Sequence, residues 1–112
     1  MTFQESIKLC LTQKYADFNG RAARPEYWWF ALFSILVGLA LSYVSSMLGL
    51  LFNLAILLPS IAVGARRLHD TNRSGWWQLI ALIPVLGTIV LIVFFVLEGD
   101  AEDNKFGAPP VA

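Results

Sequence analysis

No charged residue occurs between Glu26 and Arg66, and a second uncharged run extends from Ser74 to Leu97. A helix needs about 20 apolar residues to cross the roughly 30 Å hydrocarbon core of a bilayer. The first run is long enough for two crossings and the second for one. The chain has 112 residues, of which 57% are hydrophobic and 14% charged. A soluble domain of this size could not bury so much apolar surface, whereas lipid can cover it. An all-α membrane protein forming one domain over residues 1–112 is the expected class. The formal net charge is zero, so no nucleic-acid partner is expected. Cys10 is the sole cysteine, which excludes an intramolecular disulfide and the usual metal-ligand spacings. Residues 1–15 lack the continuous apolar stretch of a cleavable signal.

Thr2-Phe3-Gln4-Glu5 reads as a capping box. Phe3, Ile7, Cys10, Leu11 and Tyr15 follow at helical spacing, predicting a short amphipathic helix within residues 1–15. This helix is expected to lie in the membrane interface, with packing on the protein's own polar face as the alternative. Asp17 to Gly20 is a turn signal. Pro25 and Glu26 suit the first turn of a membrane helix over 26–47. Ser45 to Gly49 forms the turn to a second helix over 50–68, so these two are antiparallel neighbours. Ser34, Gly38, Ser42 and Ser46 recur every four residues, a stripe that permits close helix approach. Asn53 is expected to make an interhelical hydrogen bond. Pro59 should kink the second helix, with its freed carbonyl met by a local serine or water.

Ser74 can cap a third membrane helix over 75–97, interrupted at Pro84 and Gly87. That segment either crosses with a kink or folds back as a hairpin of two half-length helices. The crossing is the expectation, because the 22 residues from Trp76 to Leu97 match one span. Residues 98–112 read as a polar, extended tail.

Lys8, Lys14, Arg21 and Arg24 precede the first membrane helix, and Arg66, Arg67 and Arg73 lie between the second and third. With three crossings these seven basic residues share one side, which the positive-inside rule makes cytoplasmic. The tail would then be periplasmic. Trp28, Trp29, Trp76 and Trp77 begin the first and third helices and serve as interfacial anchors.

The same face gathers Glu26, His69 and Asp70 with the arginines. Three readings follow. The carboxylates can neutralise neighbouring arginines in an ion-paired cap. Alternatively, Arg21, Arg24, Arg66, Arg67 and Arg73 can engage lipid phosphates or a partner. The third reading is catalysis or proton transfer through His69 and Asp70. A metal site at His69-Asp70 lacks a second histidine, and adjacent helical residues point apart. No nucleophile elbow, phosphate-cradling loop or dinucleotide fingerprint is present. Asp100, Glu102, Asp103 and Asn104 lack the glycine and spacing of a calcium loop.

Gly20-Arg21-Ala22-Ala23-Arg24-Pro25-Glu26-Tyr27-Trp28 resembles one signature of the domain-of-unknown-function 805 family. Arg66-Arg67-Leu68-His69-Asp70, followed by Ser74-Gly75-Trp76-Trp77, resembles a second. Ile83 to Gly87 and Asn104-Lys105-Phe106-Gly107 with Pro109 resemble later elements of the family. The resemblance implies a bacterial origin and the inner membrane, and it implies no assigned activity. It marks Arg21, Arg24, Glu26, Trp28, Arg66, Arg67, His69, Asp70, Ser74, Gly75, Trp76 and Asn104 as motif positions. A motif in the tail would sit across the membrane from the others under three crossings. A hairpin would instead let it meet the arginines.

The expected function is therefore non-enzymatic, without cofactor, metal or catalytic residue: a small inner-membrane scaffold or accessory protein. Its partners would be anionic phospholipids, a second copy or a membrane protein. The rival is an oligomeric transporter or channel lined by Asn53, Pro59 and Pro84; a lipid-modifying enzyme comes third.

Overall fold

A computed structural model describes residues 2–110. Its elements are α1 (Phe3–Leu11), α2 (Arg24–Val44), α3 (Ser46–Asp70), a 3-10 helix (Gly75–Leu82) and α4 (Leu86–Val96). The capping box at Thr2 and Glu5 forms as read from sequence. Met1, Val111 and Ala112 lie outside the described residues.

α2 and α3 are both long and apolar enough to cross a membrane. At 1.5 Å per residue they extend about 31 and 37 Å. Only Ser45, with φ −160° and ψ 130°, separates them, so the expected turn over 45–49 shrinks to one residue. The reason lies at Gly49, where a Cβ would overlap the Ser42 side chain. Two small residues let the antiparallel helices touch immediately. Gly38 likewise faces α3, where a Cβ would stand 3.3 Å from Asn53 Oδ1. The stripe of Ser34, Gly38 and Ser42 therefore lines the helix pair as expected, while Ser46 belongs to α3. Phe30, Ile56 and Val63 are buried between the helices, with Phe33 and Phe52 packed against them. Leu36, Leu39, Met47 and Leu54 remain exposed, the arrangement of a helix pair covered by lipid rather than water.

Two polar details differ from expectation. Asn53 is exposed and makes no hydrogen bond among the described residues. The carbonyl freed by Pro59 is Ala55 O, four residues earlier. It accepts the hydroxyl of Tyr15, neither a serine nor water. α1 is docked on the protein itself: Ser6 Oγ donates to Glu26 O at 2.6 Å, and Phe3 meets Trp29 edge-on.

The third apolar segment is not a single crossing. Its first leg is a 3-10 helix capped by Ser74, whose hydroxyl accepts from Trp76 N. Its second leg is α4, and Pro84 and Val85 (φ 65°) reverse the chain between them. At 2.0 Å per residue for the first leg and 1.5 Å for the second, each leg spans about 16 Å, half the hydrocarbon thickness. The legs pack side by side. Trp77 meets Phe94 edge-on at 5.5 Å, and Gly87 rests on the Ile80 carbonyl so closely that a Cβ would overlap it. Pro84 and Gly87 thus mark a chain reversal, where a kinked crossing had been expected.

Both ends of the hairpin consequently lie at the end of the bundle that carries α1 and the 71–74 loop. The tail, expected across the membrane, returns to that same end. It is folded there rather than extended: Asp100 N donates to Asp70 O at 2.7 Å. Asn104 and Gly107 exchange two backbone hydrogen bonds in a tight turn, with Gly107 at φ 122°.

Candidate functional site: a buried arginine cluster

Arg21, Arg66 and Arg67 have side chains with no exposed surface. A buried guanidinium requires a carboxylate and acceptors for its remaining donors. Asp70 serves two of the three: Oδ1 accepts from Arg21 Nε at 2.9 Å and Oδ2 from Arg67 Nη1 at 2.7 Å. Glu26, in the first turn of α2, pairs with Arg66 Nη1. An ion-paired cap is thus formed, with Glu26 on Arg66 and Asp70 on Arg21 and Arg67.

Backbone carbonyls take most of the remaining donors. Arg21 Nη1 reaches Glu102 O at 2.9 Å and Gly107 O at 3.1 Å, and Nη2 reaches Asp70 O and Asp100 O. Arg67 donates to Phe95 O at 3.0 Å, Ala22 O at 3.1 Å and Leu97 O. The last carbonyls of a helix lack intrahelical partners and carry its negative dipole end. Arg67 therefore caps α4. Trp28 Nε1 also donates to Phe95 O at 3.1 Å, and Arg24 Nη1 reaches Val96 O at 3.5 Å. Arg66 Nε holds Asp17 O at 2.9 Å, while its Nη2 is buried without a partner among the described residues. Cys10 lies beside the Arg66–Glu26 pair. Burial, reinforced by the Glu26 carboxylate, pushes its thiol up to about 11, so it is protonated and unreactive at neutral pH.

His69 faces away from the ion pairs. Its Nδ1 donates to Gly20 O at 2.9 Å, and its ring stacks on Phe106 at 4.0 Å. Asn104 Nδ2 donates to His69 O at 3.0 Å and its Oδ1 accepts from Phe106 N at 2.9 Å. The tail motif is thereby fastened onto the α3 motif. Gly99 is required by proximity, since a Cβ would overlap the Asp70 carboxylate.

Two of the five arginines assigned to lipid or partner contact are at the surface. Arg24 is exposed, and Arg73 is half-buried with its guanidinium 4.3 Å from the centre of the Phe94 ring. Among the tryptophans, Trp29, Trp76 and Trp77 are exposed, whereas Trp28 is half-buried against α4. Sequence reasoning missed Tyr15 and Phe106. Pro59 was the signal for the first, because it fixes which carbonyl lacks a donor. The signal for the second was the Asn104-Lys105-Phe106-Gly107 motif in the tail.

The signatures that converge here recur in other proteins. Residues 15–108 match a family described as a protein of unknown function, DUF805. The chain belongs to DUF805. Among relatives, inner membrane protein YhaI of Escherichia coli K12 is 42% identical over 109 residues, covering 91% of this chain and 92% of its own. Inner membrane protein YhaH of the same strain is 39% identical over 113 residues, covering 91% and 93%. The uncharacterized protein YiiR is 33% identical over 81 residues, covering 67% of this chain and 56% of its own. No solved structure matches. Both DUF805 signatures and the tail motif meet at one cluster in this fold.

Proposed function

We propose that this is a non-enzymatic inner-membrane protein whose arginine cluster is architectural, and whose exposed Arg24 and half-buried Arg73 contact anionic lipid headgroups or a membrane partner. The membrane placement is supported by α2 and α3 and by the names of the relatives. The architectural role is carried by one observation: the Arg21 and Arg67 donors are taken by Asp70 and by carbonyls of the loop before α2, the hairpin and the tail. Guanidiniums so occupied are not free for phosphate.

All charged residues of the described fold lie at one end, and the Ser45 end has none. The positive-inside rule makes the charged end cytoplasmic, including the tail. Arg24 and Arg73 there meet the negative potential of the leaflet, worth about 1 kcal/mol per basic residue. Arg24→Gln with Arg73→Gln should lower phosphatidylglycerol retention in native mass spectrometry without changing the melting temperature. Unchanged retention in that variant would defeat the headgroup reading.

A second reading, association with another copy, is favoured by Asn53. An exposed, unpaired carboxamide facing lipid is costly, and a second helix could satisfy it. Asn53→Leu should then shift the protein toward monomer in detergent; an unaltered size distribution would dismiss self-association at this position.

A further inference from the structure

A cavity of about 380 Å³ opens between the end of α3 and the 3-10 leg, on the side of His69 opposite the ion pairs. Phe18, Ile61 and Trp76 give it apolar walls, and His69, Ser74 and Gln78 supply its polar groups. The size is that of a small-molecule pocket. Gly75 lets the 3-10 leg pack closely on α3 at the cavity wall: a Cβ there would press on Ala65 at 2.7 Å and stand 3.7 Å from His69 Nε2.

The hydrogen bonds on the page fix what the polar groups can offer. His69 Nδ1 must carry a proton to bond the Gly20 carbonyl, so in the neutral ring Nε2 is a lone pair. Among the described residues nothing donates to it. Ser74 Oγ accepts from Trp76 N, which leaves its own proton free to donate. The lining contains no carboxylate to balance an ammonium and no lysine or arginine to balance a phosphate. A bare ion would be desolvated there without compensation. Trp76, on the 3-10 leg of the hairpin, lines the cavity and is 77% exposed.

We propose that this cavity binds the neutral hydroxyl group of a membrane amphiphile, which donates to His69 Nε2 while its apolar chain leaves past Ile61 and Trp76. The assignment rests on the membrane placement proposed above but not on the surface arginines. Two sources carry this chemistry: a quinol ring, and the terminal glycerol of phosphatidylglycerol with its phosphate held outside the cavity in water.

The test uses the full chain in phosphatidylcholine nanodiscs, whose headgroups donate no hydrogen bond. Histidine occurs once, so ring ¹⁵N spectra report His69 alone. Decylubiquinol or dioctanoyl-phosphatidylglycerol should move the Nε2 resonance saturably, and the active probe names the source. Trp76→Ala, which removes a largely exposed wall, should weaken that probe several-fold with the fold intact. His69→Phe, which keeps the stack on Phe106 but removes the reporter, should weaken the same probe about tenfold by isothermal titration calorimetry, the size of one lost hydrogen bond. Neither probe moving Nε2 would overturn the proposal. So would an equal shift from oxidised decylubiquinone, which has no hydroxyl. The titration is repeated in Arg24→Gln/Arg73→Gln. A preserved shift supports the cavity whatever happens to anionic-lipid retention, and a lost one would assign binding to the surface arginines instead.

Discussion

Tyr15 donates its hydroxyl to the Ala55 carbonyl, the acceptor that Pro59 leaves without an intrahelical partner. A proline in mid-helix removes one N–H and exposes one carbonyl. In a membrane helix that carbonyl must be satisfied within the protein. The N-terminal segment supplies the donor, so the irregularity in α3 also fixes where the chain preceding α2 lies.

This pairing predicts a coupling. Tyr15→Phe should destabilise the protein by about 1 kcal/mol, the usual worth of one hydrogen bond. Pro59→Ala returns an intrahelical donor to Ala55 O, so Tyr15→Phe should cost markedly less in that background. A double-mutant cycle of thermal unfolding in detergent measures this. Equal costs in both backgrounds would show that the hydroxyl serves another purpose.

Arg21 holds the tail. Arg21→Gln leaves part of Asp70 and three tail carbonyls without a donor, and breaking a buried pair costs about 3–5 kcal/mol. Residues 98–107 should then become sensitive to limited proteolysis before the helix pair unfolds. Arg24→Gln, at the surface, should leave the cleavage pattern unchanged.

The hairpin depends on Gly87. Gly87→Ala places a Cβ on the Ile80 carbonyl, a backbone atom that cannot swing aside, and should lower the melting temperature strongly. Gly20→Asn should be tolerated. Gly20 has φ +84° with open space around it, and asparagine accepts that conformation better than most residues. Comparable losses from the two substitutions would contradict the tight packing of the two legs.

Under the proposed membrane placement, the tail should share the membrane side of the N-terminus. Reporter fusions at either end should both be active in the cytoplasm. A C-terminal fusion active only in the periplasm would restore the third crossing and exclude the folded tail.

Cys10 should resist alkylation near neutral pH and react only as the pH approaches 11. Its folded value lies above the ordinary thiol value of 9.0, so the unfolded chain loses its proton first. The stability contributed by the protonated thiol is complete below about 9 and declines as the pH rises toward 11. Iodoacetamide labelling against pH reads the first effect and thermal unfolding the second. Ordinary labelling at pH 8 would mean that the site is open to water.

Length, hydropathy and punctuation were enough to read two apolar helices, their antiparallel order, the capping box at Thr2, the Ser74 cap and the small-residue seam. Each depends on residues close in sequence or on a simple helical period. The motif residues were legible as a group, because charge in so apolar a chain stands out. The fate of the third apolar segment was not legible, since 22 uncharged residues satisfy one crossing and two half-length legs equally well. The contact of Gly87 with Ile80, and the capping of α4 by Arg67 and Trp28, decide it. The first is a local backbone approach that hydropathy does not report, and the capping contacts join residues far apart in sequence whose attraction is invisible to any local pattern. Three crossings would separate the tail motif from the arginines; the hairpin brings the chain back. Only then do the carbonyls of Asp100, Glu102 and Gly107 reach Arg21. Those carbonyls belong to the backbone, which has the same acceptor at every residue, so no side-chain pattern could announce them. The sequence by itself determined the solvent and the helices. The tertiary structure decided which guanidiniums turn inward, because a buried arginine is tolerable only where folding gathers enough acceptors around it.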